Sequence, residues 1–163
     1  MNITNNFAVT SGDIGEALMK SASAFKSNGT EMSESIGLIV GAQETIQNSS
    51  KVGNSFKTMI NRLNGVTYSM KEGDIIANKT AQAFEKLAGI KIVDLDTNKV
   101  KDAYTIFSQL ADKWDDMNDV QRNGIADALG GAHHLNTLQA LMNNWDTVVQ
   151  YQEMASSYVQ KCT

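Results

Sequence analysis

The sequence contains no proline in 163 residues. Average usage would supply roughly eight, and without them no helix is interrupted by a missing amide or a ring clash. Cysteine is nearly absent too. The lone Cys162 has no partner for an internal disulfide and no second thiol to share a metal, so a reducing site of synthesis is the natural reading. Aromatic residues make up only 7% while methionine occurs eight times. That balance suits adaptable helix-to-helix packing better than a sheet sandwich. Long apolar runs are missing as well: the longest, Ile36 to Ala42, is far shorter than the roughly 20 residues a spanning helix needs. The N-terminus also lacks the basic start and apolar stretch of a signal peptide. The chain therefore reads as soluble, with no membrane span in this segment.

Charge is unevenly placed. Residues 1–50 carry two lysines against five acids, 51–92 seven basic residues against three acids, and 93–163 five against ten, giving −3, +4 and −5. The basic middle invites a nucleic-acid reading. Its cations, Lys51, Lys57, Arg62, Lys71, Lys79, Lys86 and Lys91, are however spread out with few aromatics among them, so they read as a solvated face and no specific nucleic-acid site is assigned.

Helical periodicity fills most of the chain, punctuated by Gly, Asn and Ser clusters. Ile14, Ala17, Leu18, Ala22 and Phe25 form one stripe that Asn28-Gly29 stops. Ile36, Ile39, Val40 and Ile46 form the next, with Thr30 and Ser33 as candidate caps and an end near Asn48-Ser49-Ser50. Gly37 and Gly41 weaken this helix by about 1 kcal/mol each relative to Ala unless they admit a close neighbour. Val52, Phe56, Met59, Ile60 and Leu63 form a third stripe between Ser50 as cap and Asn64-Gly65 as stop.

From Val66 to Lys79 the pattern lapses, and a loop or flexible connection is expected before a short helix from Ala81 to Leu87 that Gly89 ends. Residues 90–96, IKIVDLD, are the one stretch with strand-like alternation. Then Val100, Ala103, Tyr104, Phe107, Leu110, Ala111 and Trp114 make the strongest amphipathic stripe, with Asp96 or Thr97 as cap. Asn118 with Gln121 has capping-box spacing before Ile125, Ala128 and Leu129, and Gly130-Gly131 closes that helix. Leu135, Leu138, Leu141, Met142 and Trp145 form one further stripe, and Val148, Tyr151, Ala155, Tyr158 and Val159 the last, after Asp146. The expectation is an all-α array or bundle of seven to eight short amphipathic helices, with at most one short extended segment near 90–93. Its organisation reads as an N-terminal helical part at 1–65, a connection at 66–80 and a C-terminal helical part at 81–163.

Catalytic and cofactor patterns are not found. His133 and His134, the only histidines, point about 100° apart on a helix and cannot grip a metal as an i, i+4 pair would. They read as solvated residues near a helix start. Asp112, Asp115, Asp116 and Asp119 lack the glycine and closing glutamate of a calcium loop and read as an acidic helix end. Gly124, Gly130 and Gly131 are followed by no Lys-Ser or Lys-Thr pair and so form no phosphate loop. No serine sits in a Gly-x-Ser-x-Gly elbow, and Glu72 and Glu85 lack the second polar group a helical glycan-cleaving domain requires. No catalytic residue, metal or cofactor is assigned.

The order of segments resembles the core region of phage tail tape-measure proteins. The string VGNSFKTMINRLNG at 52–65 is similar to a helix of that family in Gly53, Phe56, Lys57, Thr58, Arg62 and Leu63, and residues 13–48 resemble the two helices that precede it. AFEKLAGIKIVDLDTNKVKDAYTIFSQLADKW at 83–114 resembles a unit of helix, Gly-Ile at Gly89, extended link and amphipathic helix. QRNGIADALGGAHHLNTLQALMNNWD at 121–146 resembles a Gln-containing helix, a glycine break at Gly130 and a following helix. The likeness covers about 13 to 150, and the stretch at 64–80 is longer than the family pattern suggests.

What the resemblance implies is a structural, non-enzymatic role in the tail of a phage or prophage. Such a protein runs inside the tail tube, sets tail length during assembly in the host cytoplasm, and leaves when DNA is delivered. Tail-tube and tail-tip proteins, a tail assembly chaperone and further copies of the chain are the implied partners. At about 1.5 Å per helical residue even an unbroken helix of this length spans only roughly 245 Å, so one segment of a longer chain is expected. A generic helical interaction module or secreted adaptor shares the same stripes and remains the alternative.

Overall fold

The computed structural model describes residues 9–66, 68–71 and 74–162. Among the described residues eight α-helices carry the fold: α1 (Ser11–Asn28), α2 (Met32–Ile46), α3 (Ser49–Asn64), α4 (Lys79–Ala83), α5 (Ala103–Trp114), α6 (Asp119–Ala128), α7 (Leu135–Asn143) and α8 (Trp145–Cys162). The all-α class expected from the stripes is what the chain adopts. A π-turn at Phe84–Ala88 extends α4, and a 3-10 turn at Ala132–His134 leads into α7. The last apolar stripe lies on α8, although the side chains of Val159 and Cys162 are outside the described residues.

Capping explains most of the boundaries. Thr10 and Asp13 form a reciprocal capping box at the start of α1, and left-handed Gly29 closes its end through bonds to the carbonyls of Lys26 and Phe25. The Asn118–Gln121 box opens α6 as the spacing implies. Among the first three helices, two start elsewhere than expected. Glu31, rather than Thr30 or Ser33, is the residue before α2, and its amide donates to Glu34 Oε1 at 3.0 Å. Asn48, rather than Ser50, caps α3 by accepting from the Lys51 amide.

The strands differ from expectation in two places. Within the segment read as a loop or flexible connection, β1 (Tyr68–Lys71) pairs antiparallel with β2 (Asp74–Ala77). Tyr68, Ile75 and Ile76 are strand-forming types, and the antiparallel pairing satisfies backbone groups of both strands. Of the stretch expected to be extended near 90–93, only Val93 enters a strand: β3 (Val93–Asp94) pairs with β4 (Lys99–Val100). Lys101 adds a bond from its amide to the Ile92 carbonyl, 2.8 Å long. Because this ladder occupies Val100 and Lys101, α5 cannot begin at Asp96 or Thr97. Asp102 caps it instead, accepting from the amide and hydroxyl of Thr105.

The larger of two core clusters joins α1–α3 to α4–α8, and a smaller one gathers Val9, Ile14, Val40 and Tyr151. The aromatic axis of the larger cluster runs from Phe25 on α1 to Phe56 on α3 and on to Phe107 on α5, with ring centroids 5.7 and 6.3 Å apart. Helix α1 lies along α3, and α2 lies along α8. The second contact is unusually close. A Cβ on Gly37 would stand 2.6 Å from the Val148 carbonyl oxygen, and one on Gly41 would stand 2.2 Å from the Val148 Cγ2. The two glycines of α2 are therefore where α8 rests.

Candidate functional site

Helix α3 has two faces of different character. Val52, Gly53, Phe56, Met59, Ile60 and Leu63 are buried, whereas Lys51, Asn54, Lys57, Thr58, Asn61 and Arg62 are exposed. Lys51, Asn54, Thr58 and Arg62 recur at i, i+3, i+7 and i+11, which at 3.6 residues per turn lines them in one row. The turn between α6 and α7 runs beside that row and carries Gly130, Gly131, His133 and His134. Two clefts open there, with volumes of about 450 Å³ and about 310 Å³. The larger is lined by Lys51, Asn54, Ser55, Thr58, His133, His134 and Asn136. The smaller is lined by Arg62, Lys79, Thr80, Asp127, Ala128, Gly130 and Gly131.

Gly130 makes this geometry available. Its φ of +124° is strained for any side chain, and a Cβ would sit 2.8 Å from the Thr58 methyl and 3.3 Å from His134 Nε2. The bare backbone lets α3 and the histidine ring close on it.

His134 is the main departure from the sequence reading. It is not solvated: only 4% of it is exposed, and its Nδ1 lies 3.3 Å from Ser55 Oγ. Thr137 donates its hydroxyl to the same Ser55 oxygen at 3.2 Å, so the three polar side chains clasp α3 to the start of α7. The Nε2 atom is buried without a hydrogen-bond partner. Burial in the first place, and the neighbouring His133 in the second, hold the His134 ring below the ordinary imidazole pKa. The two rings lie tilted at 43° to one another with centroids 4.0 Å apart. A signal for this burial exists in the sequence: His134, Leu138 and Leu141 fall at i, i+4 and i+7, the buried stripe of α7.

Chemically the Ser55–His134 pair is a poor nucleophile and base. Ser55 is itself buried, and the residues bonded to the ring and its partner include no carboxylate to orient the imidazole. Among the described residues no three His, Cys, Asp or Glu side chains gather where a metal ion could be held. Asp112, Asp115, Asp116 and Asp119 are exposed around the α5–α6 turn.

The residues singled out by resemblance divide by position. Gly53 lies against α1, where a Cβ would be 2.9 Å from the Ala17 carbonyl oxygen, and Phe56 and Leu63 enter the core. Thr58, Arg62 and Gly130 meet at the two clefts, and Lys57 is exposed. Gly89 is elsewhere: it ends the π-turn in the left-handed region at φ +65° and lines a separate cleft with Lys91, Lys101 and Lys113. Among the described residues no helix is long and apolar enough to cross a membrane.

No solved structure matches this chain. Residues 1–131 match the family described as phage-related minor tail protein. The match takes in α1 to α6 and the glycine turn that shapes both clefts, 131 of 163 residues, and the chain belongs to the phage-related minor tail protein family.

Proposed function

We propose that this phage tail protein is a segment of a tape-measure chain, acting in tail assembly, length determination and DNA delivery without catalysing a reaction. The observation that carries the reading is the family match over residues 1–131, joined to the order of helix units that resembles the tape-measure core. Glycine-backed helix crossings and exposed polar faces suit a part whose work is packing against itself and its neighbours. Under this reading the buried residues Gly53, Phe56 and Leu63 hold the segment together. Lys57, Thr58, Arg62 and the glycine turns shape its outer surface. The tail tube, the tail tip, an assembly chaperone and further copies of the chain are the proposed partners, first in the host cytoplasm and then in the virion.

The test is an in-frame deletion of the coding region for this segment in the phage, followed by electron microscopy of particles. Shortened tails, or a block in tail assembly, are expected. Tails of normal number and length would overturn the length-determining part of the proposal.

A further inference from the structure

His134 is a buried titratable group that the tail reading leaves without a role, and its surroundings suit only the neutral ring. Its Nδ1 meets Ser55 Oγ at 3.3 Å, and that oxygen already accepts the Thr137 hydroxyl at 3.2 Å. Its Nε2 is buried without a hydrogen-bond partner and lies against Gly130, where a Cβ would stand 3.3 Å from it. A protonated imidazole carries an N–H on both nitrogens. Proton uptake would therefore bury a charge with Ser55 as acceptor for one N–H and none for the other, an arrangement with a large desolvation cost. The packed elements supply no counter-charge against the ring. Helix α7 has no charged residue, α3 brings Lys51 to the cleft beside the ring, and the turn adds His133, 4.0 Å away between centroids. Asp127, near the end of α6, lines the smaller cleft together with two cations, Arg62 and Lys79.

The chain around the ring can yield without the core. Gly130 and Gly131 stand at φ +124° and +139°, and glycine passes between such conformations and others at little steric cost. Ala132, His133 and Asn136 are exposed, so solvent lies on either side of the buried ring along the chain. The amides of Gly130, Gly131 and His134 donate to the carbonyls of Asp127, Ala126 and Gly131, each at 3.1 Å. Further along α7, Leu138 and Leu141 are anchored in the larger core cluster.

We propose that the clasp of His134 on Ser55 is an acid-released latch: proton uptake frees the ring, and residues 130–134 swing outward about the glycine pair while α3, α5 and the rest of α7 stay packed. Burial first, and His133 second, lower the titration of the clasped ring, and the released ring regains the ordinary imidazole value. The open form therefore takes up the proton first. Opening grows as pH falls through the ordinary value, by up to about tenfold per pH unit, until the clasped ring itself titrates. The proposal concerns this turn alone and holds whether or not the chain measures tail length.

The test is hydrogen–deuterium exchange of the whole chain by NMR between about pH 7.5 and pH 4.5, with rates normalised to the intrinsic pH dependence of amide exchange. In the wild type the amides of Gly131 and His134 should lose protection several-fold more than those of Phe56 and Phe107 in α3 and α5. The loss should level off at the midpoint of the His134 ring titration, read from imidazole shifts in the same samples. His134→Gln, which cannot titrate, should keep the protection of residue 131 constant across the window. His133→Gln, at an exposed position, should reduce the loss without abolishing it, because burial is the larger cause. Equal loss at the turn and in the two helices would mean that the chain opens as a whole, and it overturns the latch. Constant protection in the wild type, or a loss that His134→Gln retains, overturns it as well. Should His134→Gln not fold, the wild type decides alone: a loss that continues past the ring's midpoint without levelling assigns it to another group.

Discussion

Two interfaces of this molecule solve the same packing problem in opposite ways. Between α3 and α5 the space is filled by large rings, Phe56 against Phe107, with Ile106, Leu110 and Trp114 fully or almost fully buried around them. Between α2 and α8 the space is removed: Gly37 and Gly41 bring the helix backbone against Val148, and the Asn144 amide donates to the Gly41 carbonyl at 2.9 Å and to Thr45 Oγ1 at 2.7 Å. The first interface draws its stability from apolar area, at about 1.5–3 kcal/mol per large side chain. The second draws it from close van der Waals contact and is intolerant of added atoms. Size is wanted in one place and forbidden in the other.

The largest effect is expected at the ring-filled interface. Phe107→Ala should destabilise by about 3–5 kcal/mol, because the site is closed on all sides and the lost ring leaves a cavity. Urea unfolding of the wild type and the variant measures it, and equal midpoints would show that the aromatic axis is not the core. At the glycine interface the direction of the usual helix rule reverses. Gly37→Ala should gain about 1 kcal/mol of helix propensity yet lose roughly 1–3 kcal/mol to overpacking against the Val148 carbonyl. A net loss in unfolding free energy is expected, and a more stable variant would refute the close crossing.

A polar clasp stands between these two extremes, and pH probes it. The folded-state pKa of His134 is lowered, so above the ordinary imidazole value both folded and unfolded chains hold a neutral ring and its contribution is fully present. As pH falls through the ordinary value towards the lowered one, the unfolded chain takes up the proton first and stability is lost. Glu34 is raised, chiefly by burial, and acts with the opposite sign. The clean measurement is therefore the difference in urea midpoint between wild type and His134→Gln from neutral to mildly acidic pH. The wild type should lose more stability over that window; parallel profiles would remove His134 from the clasp. The smallest effect belongs to the outward face of α3, where Lys57→Ala should change stability by no more than about 0.5 kcal/mol. A large loss there would mean that the face is packed.

Stripe-based reading located α5 well from Ala103 onward, because large apolar residues at helical spacing announce their own burial. It misplaced the helix start, since the pairing of Val93–Asp94 with Lys99–Val100 depends on the chain turning back through Asn98, at φ +55°. Lys101 precedes the helix as part of the turned-back link. The paired strands at 68–77 were hidden for a related reason: pairing is a relation between segments, and the individual segments are only four residues long. The candidate site was half legible. Thr58, Arg62 and Gly130 could be named, but nothing local places residue 58 beside residue 130.

What the sequence determined by itself is the helical class, the cap at Asn118, the left-handed stops at Gly29 and Gly89, and the inward stripes of α3 and α5. Each follows from residues within a turn or two of one another, where backbone sterics and side-chain period act directly. Tertiary structure alone decided three further things. Gly37 and Gly41 serve a helix crossing instead of merely weakening α2, His134 is buried against Ser55 rather than solvated, and the basic row on α3 gains clefts from a turn some seventy residues away. These depend on which surfaces meet, and a glycine, a histidine or a lysine acquires its role from the atoms brought against it.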